Sequence, residues 1–350
     1  MRRSLFFFVV FLALYGNDRL MAQSFPPGET SKDGPTRMLR IYEDNDCFNI
    51  PGQGTDDAYT NGTRIDLFYL SRHPAKGFIN RAMPKAGDSS INIYGWGILQ
   101  LMYTPDNLDL PSYQPNDYPW SGALLAAHTL YSYNPVKKYD LQTELLLGVI
   151  GPASLASGTQ ILIHQLEQYP RPMGWDHQFQ NDLLLNINFT AEKQIASWGS
   201  AVEVIGGGQL SCGTMLNGLA VYPLIRIGLM NDYFRGTLSQ YTTSGSSGPD
   251  HRRKWQAYFV LKPEAQWVLT DALLEGGVFT GNPNTRKDKG SGRPSPLPYH
   301  ALRGTVYSMN CGAVISSGNF SVSYTQNASS AMMKGLYNHD VGNITLSLGW

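Results

Sequence analysis

Apolar and polar residues alternate along most of this chain. From Trp255 to Leu269 the odd positions read Trp, Ala, Phe, Leu, Pro, Ala, Trp, Leu, and the even positions Gln, Tyr, Val, Lys, Glu, Gln, Val. From Tyr139 to Val149 one face carries Tyr, Leu, Thr, Leu, Leu and Val; the other carries Asp140, Gln142, Glu144, Leu146 and Gly148. The last segment sets Ile344, Leu346, Leu348 and Trp350 against Asn343, Thr345, Ser347 and Gly349. A period of two with one apolar face describes strands that separate two environments. About twelve such segments can be counted, most near ten residues, the length a tilted strand needs to cross a bilayer. Their centres fall near 41, 65, 96, 126, 144, 186, 204, 224, 262, 308, 323 and 346.

The pattern predicts an all-β chain closing into a transmembrane antiparallel β-barrel. A secreted β-sandwich would also alternate. Two features favour the barrel: the polar face carries Asp, Glu, Lys and Gln, as a wet or networked lumen does, and Tyr and Trp gather near segment ends, as girdle residues do. One stretch departs from the alternation. Gly151 to Gln168, GPASLASGTQILIHQLEQ, reads as a turn followed by a short external helix, with Pro152 at its entry and Ser157 and Gln160 spaced as a capping box. On that helix Gln160 and His164, at i and i+4, share a face.

With both termini periplasmic, the connections 46–58, 151–178 and 281–299 fall on the external rim. The stretch 231–253 is long for the periplasmic side, which implies either a further strand or an unusual connection. At the N-terminus, Arg2 and Arg3 precede an apolar run from Leu5 to Tyr15, and Ala22 offers a small residue for cleavage. This predicts a signal peptide over 1–22 and a barrel domain over 23–350. No later run supplies about eighteen uninterrupted apolar residues, so no helical span is expected.

Composition adds little beyond this. The 27 basic and 27 acidic residues cancel, which gives no footprint for nucleic acid. The 36 Gly and 20 Tyr suit a many-stranded protein. Three cysteines, Cys47, Cys212 and Cys311, leave at least one thiol free unless it pairs with another molecule, and no zinc spacing surrounds them. His251 to Lys254 form a basic run that reads as a solvated loop or an anionic-lipid contact.

Charge is concentrated in one place. Residues 43–62, EDNDCFNIPGQGTDDAYTNG, hold five acidic side chains in a chain only 15% charged. Asn45 and Asp46 end the first strand and Thr60 begins the second, so a hairpin brings them together. Their oxygens suit a hard cation such as Ca²⁺, or they are the Asx-turns of a solvated loop. His164 follows an apolar run and is a satisfied packing residue or a general base. Trp175 in GWDHQ reads as an interfacial aromatic at a turn. No G-x-S-x-G elbow and no P-loop occurs in the required context.

Taken together and in order, these motifs resemble the lipid A deacylase (LpxR) family. The carrying residues are Asn45–Asp46, YTNG at Tyr59–Gly62, YTPD at Tyr103–Asp106, DYPWSG at Asp117–Gly122 and GVIGP at Gly148–Pro152. Gln160, His164 and GWDHQ at Gly174–Gln178 complete the set. Cys47 after Asp46, and Pro170 with Pro172, depart from the pattern. The resemblance implies a twelve-stranded barrel in the outer membrane of a Gram-negative bacterium. It implies a site between the wall and the external helix, and Ca²⁺-dependent removal of the 3'-linked acyloxyacyl group of lipid A. His164 would activate water; Asn45, Asp46, Thr60 and Gln160 would shape the site, Asn45 and Asp46 at the metal. The implied partners are lipopolysaccharide and outer-membrane lipids, and a monomer is compatible with this. The rival readings are a channel or structural barrel without catalysis, and an outer-membrane phospholipase using a serine nucleophile.

Overall fold

A computed structural model of the chain describes residues 36–50, 58–71, 77–242, 255–281 and 301–350. The expected signal peptide at 1–22, residues 51–57 of the acidic stretch, the basic run 251–254 and most of the 281–299 loop lie outside the described residues. The strands are β1 (Arg37–Asn45), β2 (Ala58–Leu70), β3 (Ile91–Thr104), β4 (Ser121–Asn134), β5 (Tyr139–Ile150) and β6 (Asp182–Trp198). They continue as β7 (Val202–Gly213), β8 (Leu216–Leu229), β9 (Trp255–Asp271), β10 (Thr305–Ser317), β11 (Phe320–Ser329) and β12 (His339–Gly349). Each pairs antiparallel with the next, and β12 returns to β1 to close the barrel. Every centre read from the alternation falls inside one of them.

The two faces are those the alternation assigned. On β9 the odd residues Trp255, Phe259, Trp267 and Leu269 are exposed, Leu269 to 77%. Ile98, Leu147, Leu185 and Ile315 are exposed on other strands. An apolar exterior is what a bilayer demands and the reverse of a soluble sandwich. Exposed Trp198, Trp255 and Trp350 lie at the end where β1 begins and β12 finishes, and Trp267 and Tyr307 lie at the opposite end. The lumen is a charge network. Arg40 and Arg64 bond Asp66 at 2.6 and 2.9 Å, and Arg64 on β2 reaches Glu144 on β5 at 2.9 Å.

Among its described residues the long connection after β8 holds no further strand; it folds back into the barrel. A 3-10 turn, Tyr233–Arg235, and a short helix, Thr237–Tyr241, follow β8. Phe234 and Leu238 pack against Met38, Phe68, Ile93, Tyr133 and Ile205. Polar latches hold this plug: the Tyr233 hydroxyl donates to Glu192 at 2.5 Å, and the Gln256 amide donates to the Gln240 carbonyl at 3.0 Å. At the other end Leu273, Leu274, Tyr118 and Met333 pack with Tyr103 and Leu125. Both ends of the lumen are therefore covered by side chains. Among the described residues no helix is long and apolar enough to cross a membrane.

Candidate functional site

The strand pairing brings the sequence-predicted residues to one rim. Asn45, the last residue of β1, faces Asn61 on β2, and Asn61 faces Met102 on β3. Even residues of β1 turn into the lumen, where Asp44 accepts from the Tyr42 and Tyr59 hydroxyls at 2.8 and 3.0 Å. Glu43 and Asn45 have the opposite parity, and the Asn61 amide donates to Glu43 at 2.6 Å. A bulge in β2 falls between Tyr59 and Asn61. Thr60 is its extra residue, 1% exposed, with its hydroxyl 2.6 Å from that of Thr104. The bulge lets Tyr59 reach the lumen while Asn61, two residues on, serves the outer face.

From Asn45 the chain enters a 3-10 turn, Asp46–Phe48. Asn45 caps it, its Oδ1 accepting the Cys47 amide at 2.9 Å. The turn packs on β12 and β2. Asp46 is buried there, 3% exposed. Cys47, like Cys212 and Cys311, is exposed and outside any disulfide.

The helix predicted after Pro152 runs from Ala156 to Glu167 and packs on β3 and β4. It lies against the wall because Gly122 has no Cβ, which would collide with Ala156 and Ser154. Gln100 on β3 anchors the preceding turn by donating to the Ser154 carbonyl at 2.7 Å. The expected capping box does not form. Leu155, with φ 61° and ψ 10°, is the N-cap and supplies no side-chain bond, so Ser157 already lies inside the helix. The preceding 3-10 turn, Pro152–Ser154, fixes the start instead.

Ala156, Gln160 and His164 form the buried stripe of this helix, while Leu155, Leu162 and Leu166 are exposed. Its polarity is inverted relative to a helix on a soluble protein. His164 Nδ1 lies 2.6 Å from the Pro170 carbonyl oxygen. A carbonyl only accepts, so Nδ1 carries the proton and the neutral ring keeps its basic lone pair on Nε2. Gln160 does not cap its own helix; its Oε1 accepts from Trp175 Nε1 at 2.7 Å. Trp175 is buried rather than interfacial, its ring 5.0 Å from that of Trp120. Gly174 makes that contact possible, since a Cβ there would run into the Trp120 indole.

The helix thus reaches β3 and the Asp46 turn reaches β2. These strands are adjacent, about 4.8 Å apart. Between the two lies a patch of wall carrying Glu43, Asn61, Thr60, Met102 and Thr104. Sequence reading missed Glu43, Thr104 and the Pro170 carbonyl. Glu43 had a legible signal: a charge at a lipid-facing position of a barrel strand.

For a calcium ion the donors here are of the right kind. Asp46 offers a buried carboxylate, Thr60 a hydroxyl, and the capping Asn45 Oδ1 keeps a second lone pair. Among the described residues no group of three or more His, Cys, Asp or Glu side chains is placed to hold a metal. A calcium shell of six to eight oxygens would therefore draw on amide, hydroxyl and backbone oxygens beside Asp46.

A family model described as outer membrane protein LpxR matches residues 5–350. No curated protein matches the chain. Among solved structures, LpxR from Salmonella typhimurium is similar with a TM-score of 0.65 at 15% identity, covering 89% of this chain and 100% of that one. The beta domain of the Bordetella autotransporter Brka gives a TM-score of 0.40 at 8% identity, covering 91% of this chain and 100% of its own. The translocator domain of NalP from Neisseria meningitidis gives 0.40 at 10%, covering 91% and 89%. The Salmonella likeness bears on the fold; the family follows from a model match over nearly the whole chain. The chain belongs to the LpxR family of outer membrane proteins.

Proposed function

We propose that the protein is a lipid A deacylase of the outer leaflet, removing the 3'-linked acyloxyacyl group by Ca²⁺-dependent ester hydrolysis. The observation that carries this reading is the inverted rim helix. His164 and Gln160 are buried toward the wall, and Leu155, Leu162 and Leu166 face outward. A base held on the outer side of a barrel, beneath a lipid-facing surface, suits a substrate whose acyl chains stay in the leaflet. A lumenal site would offer such a lipid no path.

In this reading His164, its Nδ1–H held by the Pro170 carbonyl, takes a proton from water on Nε2. The water oxygen bonds to the ester carbonyl carbon and the carbonyl electron pair moves to its oxygen. As that pair returns, the bond to the sugar oxygen breaks, and His164 returns the proton to it. A sugar hydroxyl and an acyloxyacyl acid result. Asn45 and Asp46 would hold calcium, which when bound supplies positive charge to the developing oxyanion. Thr60 and Gln160 shape the floor and flank of the site.

Mass spectrometry of lipid A from cells expressing the wild type should show the 3'-deacylated species, and cells expressing His164→Ala should lack it. EDTA should remove the activity and Ca²⁺ should restore it. Equal deacylation by His164→Ala would overturn the base assignment.

A further inference from the structure

Two polar atoms beside the rim helix are buried without a hydrogen-bond partner among the described residues: Gln160 Nε2 and Trp120 Nε1. Gln160 is 5% exposed and Trp120 2%. Folded proteins leave few buried polar atoms unpaired, so such a pair calls for a missing partner. Trp175 joins these residues, with its ring on Trp120 and its N–H on Gln160.

An indole N–H can only donate. Trp175 Nε1 therefore forces the Gln160 amide to turn its oxygen inward, which presents the Gln160 NH₂ on the opposite side. One turn along the same buried stripe, Pro170 plays the equivalent part for His164, since its carbonyl can only accept. Two single-role neighbours thus set the orientation of the two polar side chains on the helix's inner face. One is left as a donor and the other as a base.

We infer that Gln160 Nε2 donates to the carbonyl oxygen of the scissile ester as it becomes an oxyanion, and that Trp175 is the positioning residue that aims it. This rests on the esterase reading above and adds a role to a residue that the family resemblance only places in the site. The electron pair that moves onto the carbonyl oxygen when water adds is met by this N–H, and it leaves that oxygen when the sugar C–O bond breaks. An orienting residue of this kind acts on kcat, because the donor matters most when charge develops.

The test uses the full-length protein in mixed micelles of detergent and lipopolysaccharide, with fatty-acid release as the rate. Folding of every variant is checked by the heat-dependent gel mobility of an intact barrel. Trp175→Phe keeps the ring and deletes the N–H; kcat should fall about tenfold with KM within about twofold, since losing one oxyanion donor outright costs about 10²–10³. Gln160→Glu still accepts from Trp175 but donates nothing, and should be as slow as Gln160→Ala. Adding Trp175→Phe to Gln160→Ala should change kcat by less than about twofold, because linked residues are non-additive. Wild-type kcat in Gln160→Glu, or equal losses from Trp175→Phe in both backgrounds, would overturn the inference. The wild type and His164→Ala separate the two levels: no fatty-acid release by the wild type defeats the esterase reading, whereas an active wild type and an inactive His164→Ala beside a fully active Gln160→Glu defeat only the donor role.

Discussion

Asp66 shows how single residues set the lumen. It is 1% exposed and accepts from Arg40 and from Arg64. Removing one partner of a buried ionic group strands the others, which costs about 3–5 kcal/mol. Asp66→Ala should lower the unfolding free energy of the refolded barrel, read from its urea midpoint, by that amount. Deacylation per folded molecule should stay unchanged, because Asp66 faces the lumen and the proposed chemistry lies on the outer wall. Parity along β1 made this legible: Arg40, Tyr42 and Asp44 share one face, Glu43 and Asn45 the other. Parity could not reveal the bulge at Thr60, which depends on how β2 meets β3. Nor could it reveal that Pro170, six residues past His164, would supply the carbonyl that holds the imidazole.

At the scale of elements, the rim helix was legible in its existence and in its Gln160–His164 face, but not in its start. Ser157 and Gln160 match a capping pattern, yet the turn at Pro152–Ser154 brings the chain into the helix through Leu155 before that pattern can act. Its seating rests on Gly122. Gly122→Val should drive the helix off β4, abolish deacylation and speed protease cleavage between 152 and 170, while the barrel keeps its heat-dependent gel mobility. The plug after β8 was visible only as a long connection in an unexpected place, since inward folding needs the complementary lumen. Part of its hold is the ion pair of Lys138 with Asp232 at 2.9 Å. Partial burial pushes the Asp232 carboxyl upward, but the Lys138 hydrogen bond and the charges of Lys138 and Arg235 outweigh it and hold the group below the usual range. A depressed carboxylate stabilises the fold above its unfolded pKa of about 3.9 and loses that contribution as pH falls through the lower folded value. Asp232 is 42% exposed, so the pair contributes at most about 1 kcal/mol. Stability should carry this pair's full, pH-independent contribution between about pH 7 and pH 5 and show a small loss below about pH 4. Lys138→Gln should remove that acid step from the urea midpoint plotted against pH.

For the whole molecule, wall and lumen are separate systems. A porin conducts because its lumen is lined with polar groups and filled with water. In this barrel Arg64 crosses from β2 to Glu144 on β5, the plug fills the end where β1 begins and β12 finishes, and the Leu273–Tyr118 cluster covers the other. The reconstituted protein should therefore give no steady conductance in a planar bilayer, and sustained open steps would revive the channel reading. Phe234→Ala sharpens the separation. Truncating a buried Phe costs about 3–5 kcal/mol, and here the loss falls on the plug. The variant should unfold at lower urea and exchange its plug amides faster. Its rate of lipid A deacylation per folded barrel should match the wild type, because no plug residue touches the patch between the Asp46 turn and the rim helix. A parallel loss of deacylation would mean that the lumen transmits strain to the outer wall, and the site would then have to be treated as part of the core.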